Sequence, residues 1–190
     1  MGGRIGYVVF YNLEYYIINP IEIIKIWKGG MSFHGGLVGL VISILLYSKN
    51  KRLFIEISNL VACSAPIGIF LGRLANFING ELIGKPTFSS WGILYKSDDF
   101  LRHPSQIYEA FFEGIVIFFI LFILLKNNFH KKINLFSIFL IFYSTFRFLI
   151  ENLREPDVQL GYLIFNLSMG QILCIPMMLI GISLIRYGKP

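Results

Sequence analysis

Long apolar runs separated by short charged connections set the pattern of this chain. A helix needs about 20 apolar residues to cross the hydrocarbon core of a bilayer, and four stretches approach that length: Met31–Tyr47, Ile107–Leu125, Ile133–Ile150 and Leu163–Ile185. A fifth, Phe54–Leu71, is interrupted by Glu56, Asn59 and Pro66 yet keeps Ile57, Leu60, Val61, Ile67, Ile69 and Leu71. The opening stretch Ile5–Ile18 is apolar and aromatic but short, and reads as the tail of a helix. A cleaved signal peptide is the competing reading; no small-residue cleavage pattern follows Phe10, and tyrosines continue through Tyr16. The pattern predicts an all-α integral membrane protein, one polytopic domain over residues 1–190. It should have about five complete transmembrane helices plus a partial N-terminal one.

Composition agrees with this reading. Hydrophobic residues make up 55% of the chain and charged ones 15%, with mean hydropathy +0.66, whereas a soluble domain carries roughly 25% charged residues. The formal charge of +6 invites a nucleic-acid reading, but its distribution excludes one. Lys49, Lys51 and Arg52 follow the first full span, Lys126, Lys131 and Lys132 the third, and Arg186 and Lys189 the last. These alternate connections share the cytoplasmic side by the positive-inside rule, which places the C-terminus there. The connections Asn19–Gly30, Gly72–Gln106 and Glu151–Tyr162 then face outward, with mixed or acidic charge such as Glu155 and Asp157. Cys63 and Cys174 fall inside spans without a CxxC partner and read as inert buried thiols.

An ionisable residue inside or at the end of a span is costly, and so is a functional candidate. On the expected topology His34, Arg73, Glu109, Arg147, Glu151, Asn166 and Gln171 all lie toward the outer ends of spans, which points to one polar cavity opening outward. Each also has a structural reading. Glu109 and Glu113, four apart, line one helix face; Arg147 and Glu151, also four apart, suit an intrahelical ion pair; His34 suits a helix end as well as proton transfer. The densest segment is GRLANFINGELIG at 72–84, read as leaving a helix and becoming a polar loop, within an outward loop or arm over 72–106. Its Arg73 offers a fixed fork of donors suited to a phosphodiester, and Asn76 and Asn79 suit glycerol hydroxyls or bracing of the arginine. Gly35, Gly36 and Gly39 suit close helix packing. His34, His103 and His130 show no metal-ligand spacing.

The segment at 72–84 resembles the signature of the prolipoprotein diacylglyceryl transferases, bacterial inner-membrane enzymes. MSFHGGLVG at 31–39, RHPSQIYE at 102–109, Arg147 and Glu151 followed by Arg154-Glu155-Pro156-Asp157, and MGQILCIPM at 169–177 are similar to further blocks of that family in the same order. The resemblance implies transfer of the diacylglyceryl group of phosphatidylglycerol to the lipobox cysteine thiol of prolipoprotein signal peptides, releasing glycerol phosphate, in the bacterial inner membrane as a multi-pass protein. It implies that Arg73 and Arg147 bind or stabilise the phosphate, with His34, Asn76, Glu81, Gly84 and Glu151 in the essential set. Phosphatidylglycerol would contact Arg73, Asn76, Asn79, Glu81, Gly84 and Arg147. His34 is the candidate base, or else orients the headgroup; no cofactor or metal is expected. On the same resemblance the chain starts near the end of the family's second transmembrane helix, without the first helix and its tyrosine. Lys85–Leu101 is shorter than in many members, and Ala75 stands in place of the commoner glycine.

Two other functions compete: a lipid or solute transporter, which would need an inverted repeat and midplane sites, and a truncated, inactive transferase that binds membrane lipids. Charge placement yields a direct check. Reporter fusions after Lys51 and after Lys132 are expected to read cytoplasmic alike, and opposite readings would remove the argument for a one-sided cavity.

Overall fold

Asn50 caps the longest helix by accepting a hydrogen bond from the Leu53 amide at 2.8 Å. This helix, α4 (Lys51–Asn79), continues for 29 residues in the computed structural model, which describes residues 1–95, 98–129, 132–156 and 160–187. It is about 43 Å long, against roughly 30 Å of hydrocarbon core. Gly80 ends it in the left-handed conformation, φ 68°, with its amide on the Asn76 and Phe77 carbonyls. The sequence reading ended this span at Leu71 and placed Arg73, Asn76 and Asn79 in a loop; all three are helical. The stop is Gly80, which takes a positive φ, and Gly72 lies in the helix interior.

The remaining elements bracket α4. Helices α1 (Gly2–Tyr11) and α2 (Leu13–Ile18) break at Asn12, so Ile5–Ile18 is two short helices and not one tail. Short 3-10 turns at Pro20–Ile24 and Ile26–Lys28 lead to α3 (Phe33–Tyr47), capped by Ser32. After α4, strands β1 (Ile93–Leu94) and β2 (Leu101–Arg102) pair antiparallel. Helix α5 (Ser105–Lys126) widens to π geometry over Ala110–Val116. Helix α6 (Leu135–Ile150) tightens into a 3-10 turn over Glu151–Leu153, and α7 (Met169–Tyr187) closes the fold. The span expected from Leu163 begins as a helix only at Met169. Phe165 and Asn166 before it have positive φ, 56° and 58°, which a membrane helix cannot accommodate. The non-helical segment expected over 72–106 runs from Gly80 to Pro104, around the β1–β2 pair. His130, Lys131, Asp157 and Lys189 lie outside the described residues.

The result is a mostly helical protein that has, among the described residues, three helices long and apolar enough to cross a membrane: α4, α5, and α6 with its turn to Leu153. The apolar parts of α3 and α7 are shorter. The core joins Ala62 of α4, Ile117 and Leu121 of α5, Leu135, Phe136, Phe139, Leu140 and Tyr143 of α6, and Met177 of α7. Residues four apart lie nearly one above another on a helix, so each of these stripes has a continuation. On α6 the row Phe139–Tyr143 proceeds to Arg147 and Glu151; on α5 the row Leu121–Ile117 proceeds to Glu113 and Glu109; on α4 the row Ala62–Pro66 leads to Arg73. The faces that bury hydrocarbon at one end therefore bury charge at the other.

Close backbone approach joins α1 to α3. A Cβ on Gly35 would lie 2.6 Å from both the Gly2 carbonyl oxygen and the Gly6 Cα, and one on Gly39 would lie 2.9 Å from the Gly2 Cα; one on Gly36 meets nothing within 4 Å. Close packing thus accounts for Gly35 and Gly39 and not for Gly36. Gly35→Val is expected to cost about 1–3 kcal/mol through overpacking, read as a lowered midpoint of thermal unfolding in detergent. Gly36→Val should stay within about 0.5 kcal/mol of the parent; equal losses at both positions would dismiss the packing explanation.

Candidate active site

The charged ends of the three stripes meet in one cluster. Glu109 places Oε2 2.9 Å from Arg73 Nε and pairs through Oε1 with Arg147 Nη1, so a single carboxylate joins the two guanidiniums. Arg147 extends the cluster along its own helix through Nη2, 2.6 Å from Glu151 Oε2. Glu151 is further held by the Ser168 hydroxyl, which donates to Oε1 at 2.9 Å, and by Arg154 Nη1 at 3.5 Å. Glu113 approaches both central arginines less closely, at 3.5 Å from Arg73 Nη2 and 3.8 Å from Arg147 Nη1. Glu109 and Glu113 are 0% exposed and Arg147 6%. Burial of this kind is tolerable only because each charge has a partner.

One wall of the cluster is open to a cavity of about 540 Å³. Arg73, Arg147, Arg154, Glu81 and His34 supply its polar lining, and Tyr7, Tyr11, Phe33 and Tyr143 much of its apolar lining. The His34 Nε2 is buried without a hydrogen-bond partner among the described residues. Phe33 stacks on Tyr143 with ring centroids 4.3 Å apart. Those two rings and Arg73 also border a second cavity of about 460 Å³, lined besides by Ala65, Gly68, Ile69, Gly72 and Asn76. Arg73 therefore stands between a polar chamber and a mainly apolar one. A guanidinium is suited to that position, since it stays charged at low dielectric and presents a planar fork of donors.

Segment 81–87 threads between two others beside the cavity. The Lys85 amide donates to the Leu153 carbonyl at 2.9 Å, the His103 amide to the Lys85 carbonyl at 3.0 Å, and the Glu155 amide to the Ile83 carbonyl at 3.2 Å. Ser105 Oγ donates to the Leu82 carbonyl at 3.1 Å and the Gln106 amide group to the Glu81 carbonyl. Gly84 lies at the crossing: a Cβ there would be 2.2 Å from the His103 carbonyl oxygen and 2.9 Å from that of Leu153. No side chain fits. Arg102 fastens the same region, donating to the Gly84 carbonyl at 3.0 Å and to Glu155 Oε2 at 2.7 Å. It also pairs with Asp98, and the guanidinium holds that carboxyl below the usual carboxylate range.

Of the residues singled out in the sequence, the structure brings His34, Arg73, Glu81, Arg147 and Glu151 to one cavity or its charged wall. Asn76 borders the second cavity, Gly84 shapes the backbone crossing, and Asn79 and Asn166 are exposed. Gln171 is buried behind the site, donating to the Phe148 carbonyl at 3.3 Å and to Asn152 Oδ1 at 3.2 Å. Arg147 and Glu151 are an intrahelical ion pair and part of the cavity wall at once. Sequence reasoning did not single out Tyr7, Tyr11 and Tyr143, nor Arg154 and Ser168 as partners of Glu151. It also passed over Arg4, which is 2% exposed and bonds the carbonyls of Glu22 at 2.7 Å, Ile23 at 3.1 Å and Gly29. A basic residue inside the first apolar helix was the available signal for Arg4. For Tyr143 it was the four-residue spacing to Arg147.

Comparison with known proteins adds a family. The family model described as prolipoprotein diacylglyceryl transferase matches residues 1–187. The phosphatidylglycerol–prolipoprotein diacylglyceryl transferase of Rickettsia bellii is 52% identical over 189 residues, covering 97% of this chain and 72% of that protein. The proteins of the same name from Ehrlichia ruminantium and Rickettsia felis are 49% and 50% identical over 196 and 194 residues; each alignment covers 100% of this chain and 75% of the relative.

The shared carboxylate makes a prediction about stability. Glu109→Ala leaves two buried guanidiniums without their common partner and is expected to cost about 3–5 kcal/mol, whereas Glu81→Ala, at an exposed rim position, should change stability by less than about 0.5 kcal/mol. Unfolding in detergent measures both. A Glu109→Ala protein as stable as its parent would show that the cluster is not held through this residue.

Proposed function

The chain belongs to the prolipoprotein diacylglyceryl transferase family, and we propose on that premise that it transfers the diacylglyceryl group of phosphatidylglycerol to the lipobox cysteine thiol of a prolipoprotein signal peptide, releasing glycerol phosphate. The observation that carries the reading is the pair Arg73 and Arg147, held side by side by Glu109 at the wall of a cavity that His34 also lines. Chemically, a thiolate sulfur forms a bond to the glycerol C3 carbon as the bond from that carbon to the phosphate oxygen breaks. Negative charge grows on the departing phosphate. Two guanidiniums in a low-dielectric wall stabilise that charge more than water does, and their positions are set before the reaction begins. His34, which lines the same cavity as the two arginines, takes the thiol proton. Glu151 fixes the orientation of Arg147, Asn76 and Glu81 meet the glycerol headgroup, and Gly84 sets the loop above it. Asn79, exposed at the end of α4, contacts the headgroup only at its margin.

The same reading places the protein in the bacterial inner membrane as a multi-pass protein with its C-terminus in the cytoplasm. Three long apolar helices and two shorter ones support about five crossings, and the lysine and arginine clusters support the orientation. On this topology segment 80–104 forms an outward arm. Family membership and the gathering of polar groups at one end of the helices favour the transferase over a transporter. The meeting of His34, Arg73 and Arg147 at one cavity, with Glu109 and Glu151 behind the arginines, supports it over an inactive lipid-binding descendant as well.

The test is transfer from labelled phosphatidylglycerol to a lipobox peptide by this chain in membranes, compared with two variants. Arg147→Lys keeps the charge but loses the fork and should reduce turnover by about 100-fold or more, as loss of a stabilising donor does elsewhere. His34→Gln should nearly abolish transfer near neutral pH while lipid binding survives, with residual activity rising toward the thiol pKa of about 8.5. Absence of transfer by the parent chain would sink the transferase reading, and normal turnover by His34→Gln would remove the base.

A further inference from the structure

The buried cluster is electrically balanced before any lipid arrives. Arg73, Arg147 and Arg154 bring three positive charges; Glu109, Glu113 and Glu151 bring three negative ones. A phosphodiester carries one negative charge at every ordinary pH. Seating it against Arg73 and Arg147 adds an anion to a neutral set of charges whose carboxylates are shielded from water, and an uncompensated buried charge is strongly disfavoured. Neutrality is restored if a carboxylate of the cluster, or the His34 imidazole that lines the same cavity, takes a proton.

We propose that phosphate binding at this site is coupled to uptake of one proton from solvent, and that Glu113 receives it. The choice among the carboxylates rests on geometry. Glu109 uses both oxygens on the two central arginines, one at 2.9 Å, and Glu151 is held by Arg147 at 2.6 Å and by the Ser168 hydroxyl at 2.9 Å. Glu113 has only the long contacts, 3.5 and 3.8 Å. Among the described residues one oxygen of each α5 carboxylate lacks a hydrogen bond, Oε1 in Glu113 and Oε2 in Glu109, but the Glu109 oxygen is 2.9 Å from Arg73 Nε and the Glu113 oxygen 3.8 Å from Arg147 Nη1. Glu113 is thus the carboxylate whose charge the protein stabilises least, and a phosphate drawing the same guanidiniums toward the cavity weakens its contacts further. The groups that face it are Arg73 from α4, Arg147 and Tyr143 from α6, Cys174 from α7 and Glu109 from its own helix. None of these takes the proton in its place: the arginines stay protonated, Tyr143 and Cys174 are already neutral, and Glu109 is fixed between two cations. The π geometry over Ala110–Val116 begins directly after Glu109 and includes Glu113. Both carboxylates still reach both arginines, at 2.9 Å from Arg73 Nε for Glu109 Oε2 and 3.5 Å from Arg73 Nη2 for Glu113 Oε2.

This inference rests on the assignment of Arg73 and Arg147 to the lipid phosphate. Its test is calorimetric titration of the full chain in detergent with short-chain phosphatidylglycerol. Each titration is run in two buffers of different ionisation enthalpy, so that the difference in heat counts protons. The parent chain should take up close to one proton per lipid, and its affinity should fall by up to tenfold for each unit of rising pH over the range in which that proton is gained. Glu113→Gln mimics the protonated carboxyl; it should bind with uptake near zero and with affinity independent of pH. His34→Gln leaves the charges of the cluster unchanged and should still take up a proton; loss of uptake in it would move the proton to the imidazole and overturn the assignment to Glu113. Binding by the parent chain without proton uptake, or equal uptake by Glu113→Gln, would overturn the coupling while leaving the lipid site intact. No binding at all by the parent chain would instead remove the phosphate assignment on which the coupling stands.

Discussion

Everything distinctive in this structure depends on one carboxylate shared by two arginines. Arg73 and Arg147 come from different helices, and in a low-dielectric interior their like charges would keep those helices apart. Glu109, from a third helix, removes the obstacle by pairing with both. The interaction is electrostatic glue and a template at once: it holds α4, α5 and α6 together at the end where hydrocarbon packing has given out, and it fixes two guanidiniums side by side. Removing any member leaves the others buried without full compensation, so the cluster tolerates little change.

The apolar core carries this arrangement. Each helix continues a buried apolar row into a buried charged row, so the side chains that set helix spacing also set the position of the charges. Tyr143 stands at the transition, 1% exposed, among Phe139 below and Arg147 above, with its ring stacked on Phe33 of α3. The opposite wall is built from α1 and the loop that Arg4 pins through backbone carbonyls, close to Gly30, Met31 and Ser32 at the cavity rim. Close glycine contact then fastens α1 to α3. The cavity is therefore held by apolar packing, glycine contact and ion pairing on three different sides.

Much of this was legible in the sequence, and the rest was not for identifiable reasons. The apolar runs predicted each long helix, and the one-sided placement of His34, Arg73, Glu109, Arg147 and Glu151 foretold a shared site because charge within a membrane must converge on charge. The end of α4 was misread because Arg73, Asn76 and Asn79 were taken as signs of a loop. A helix can carry polar residues wherever a cavity or an ion pair receives them, and here the terminator was Gly80. Pairing of Glu109 with two arginines from distant helices leaves no periodic trace in any one segment. The role of Gly84 was equally hidden. Its neighbours in space, His103 and Leu153, are 19 and 69 positions away, and only the folded backbone shows that a methyl group would collide with both carbonyls.

The reaction proposed for this site demands two conditions that oppose each other: a strongly cationic wall, and little water to compete with the thiol. Free arginines beside an open cavity would draw water and small anions. Arginines already satisfied by carboxylates do not, yet they release part of their hydrogen-bonding capacity when a phosphate offers a better-placed anion. Arg73 illustrates the compromise, with its Nε and Nη2 turned to Glu109 and Glu113 and its side chain only 15% exposed between a polar and an apolar chamber. Such a wall is neutral while it waits and cationic toward the group that arrives. On this view the acidic residues behind the arginines are as much a part of phosphate selection as the arginines themselves, since they set how much charge the entering headgroup meets. A lysine in either position would satisfy the same carboxylates with a point charge, and would have no second edge to turn toward the lipid.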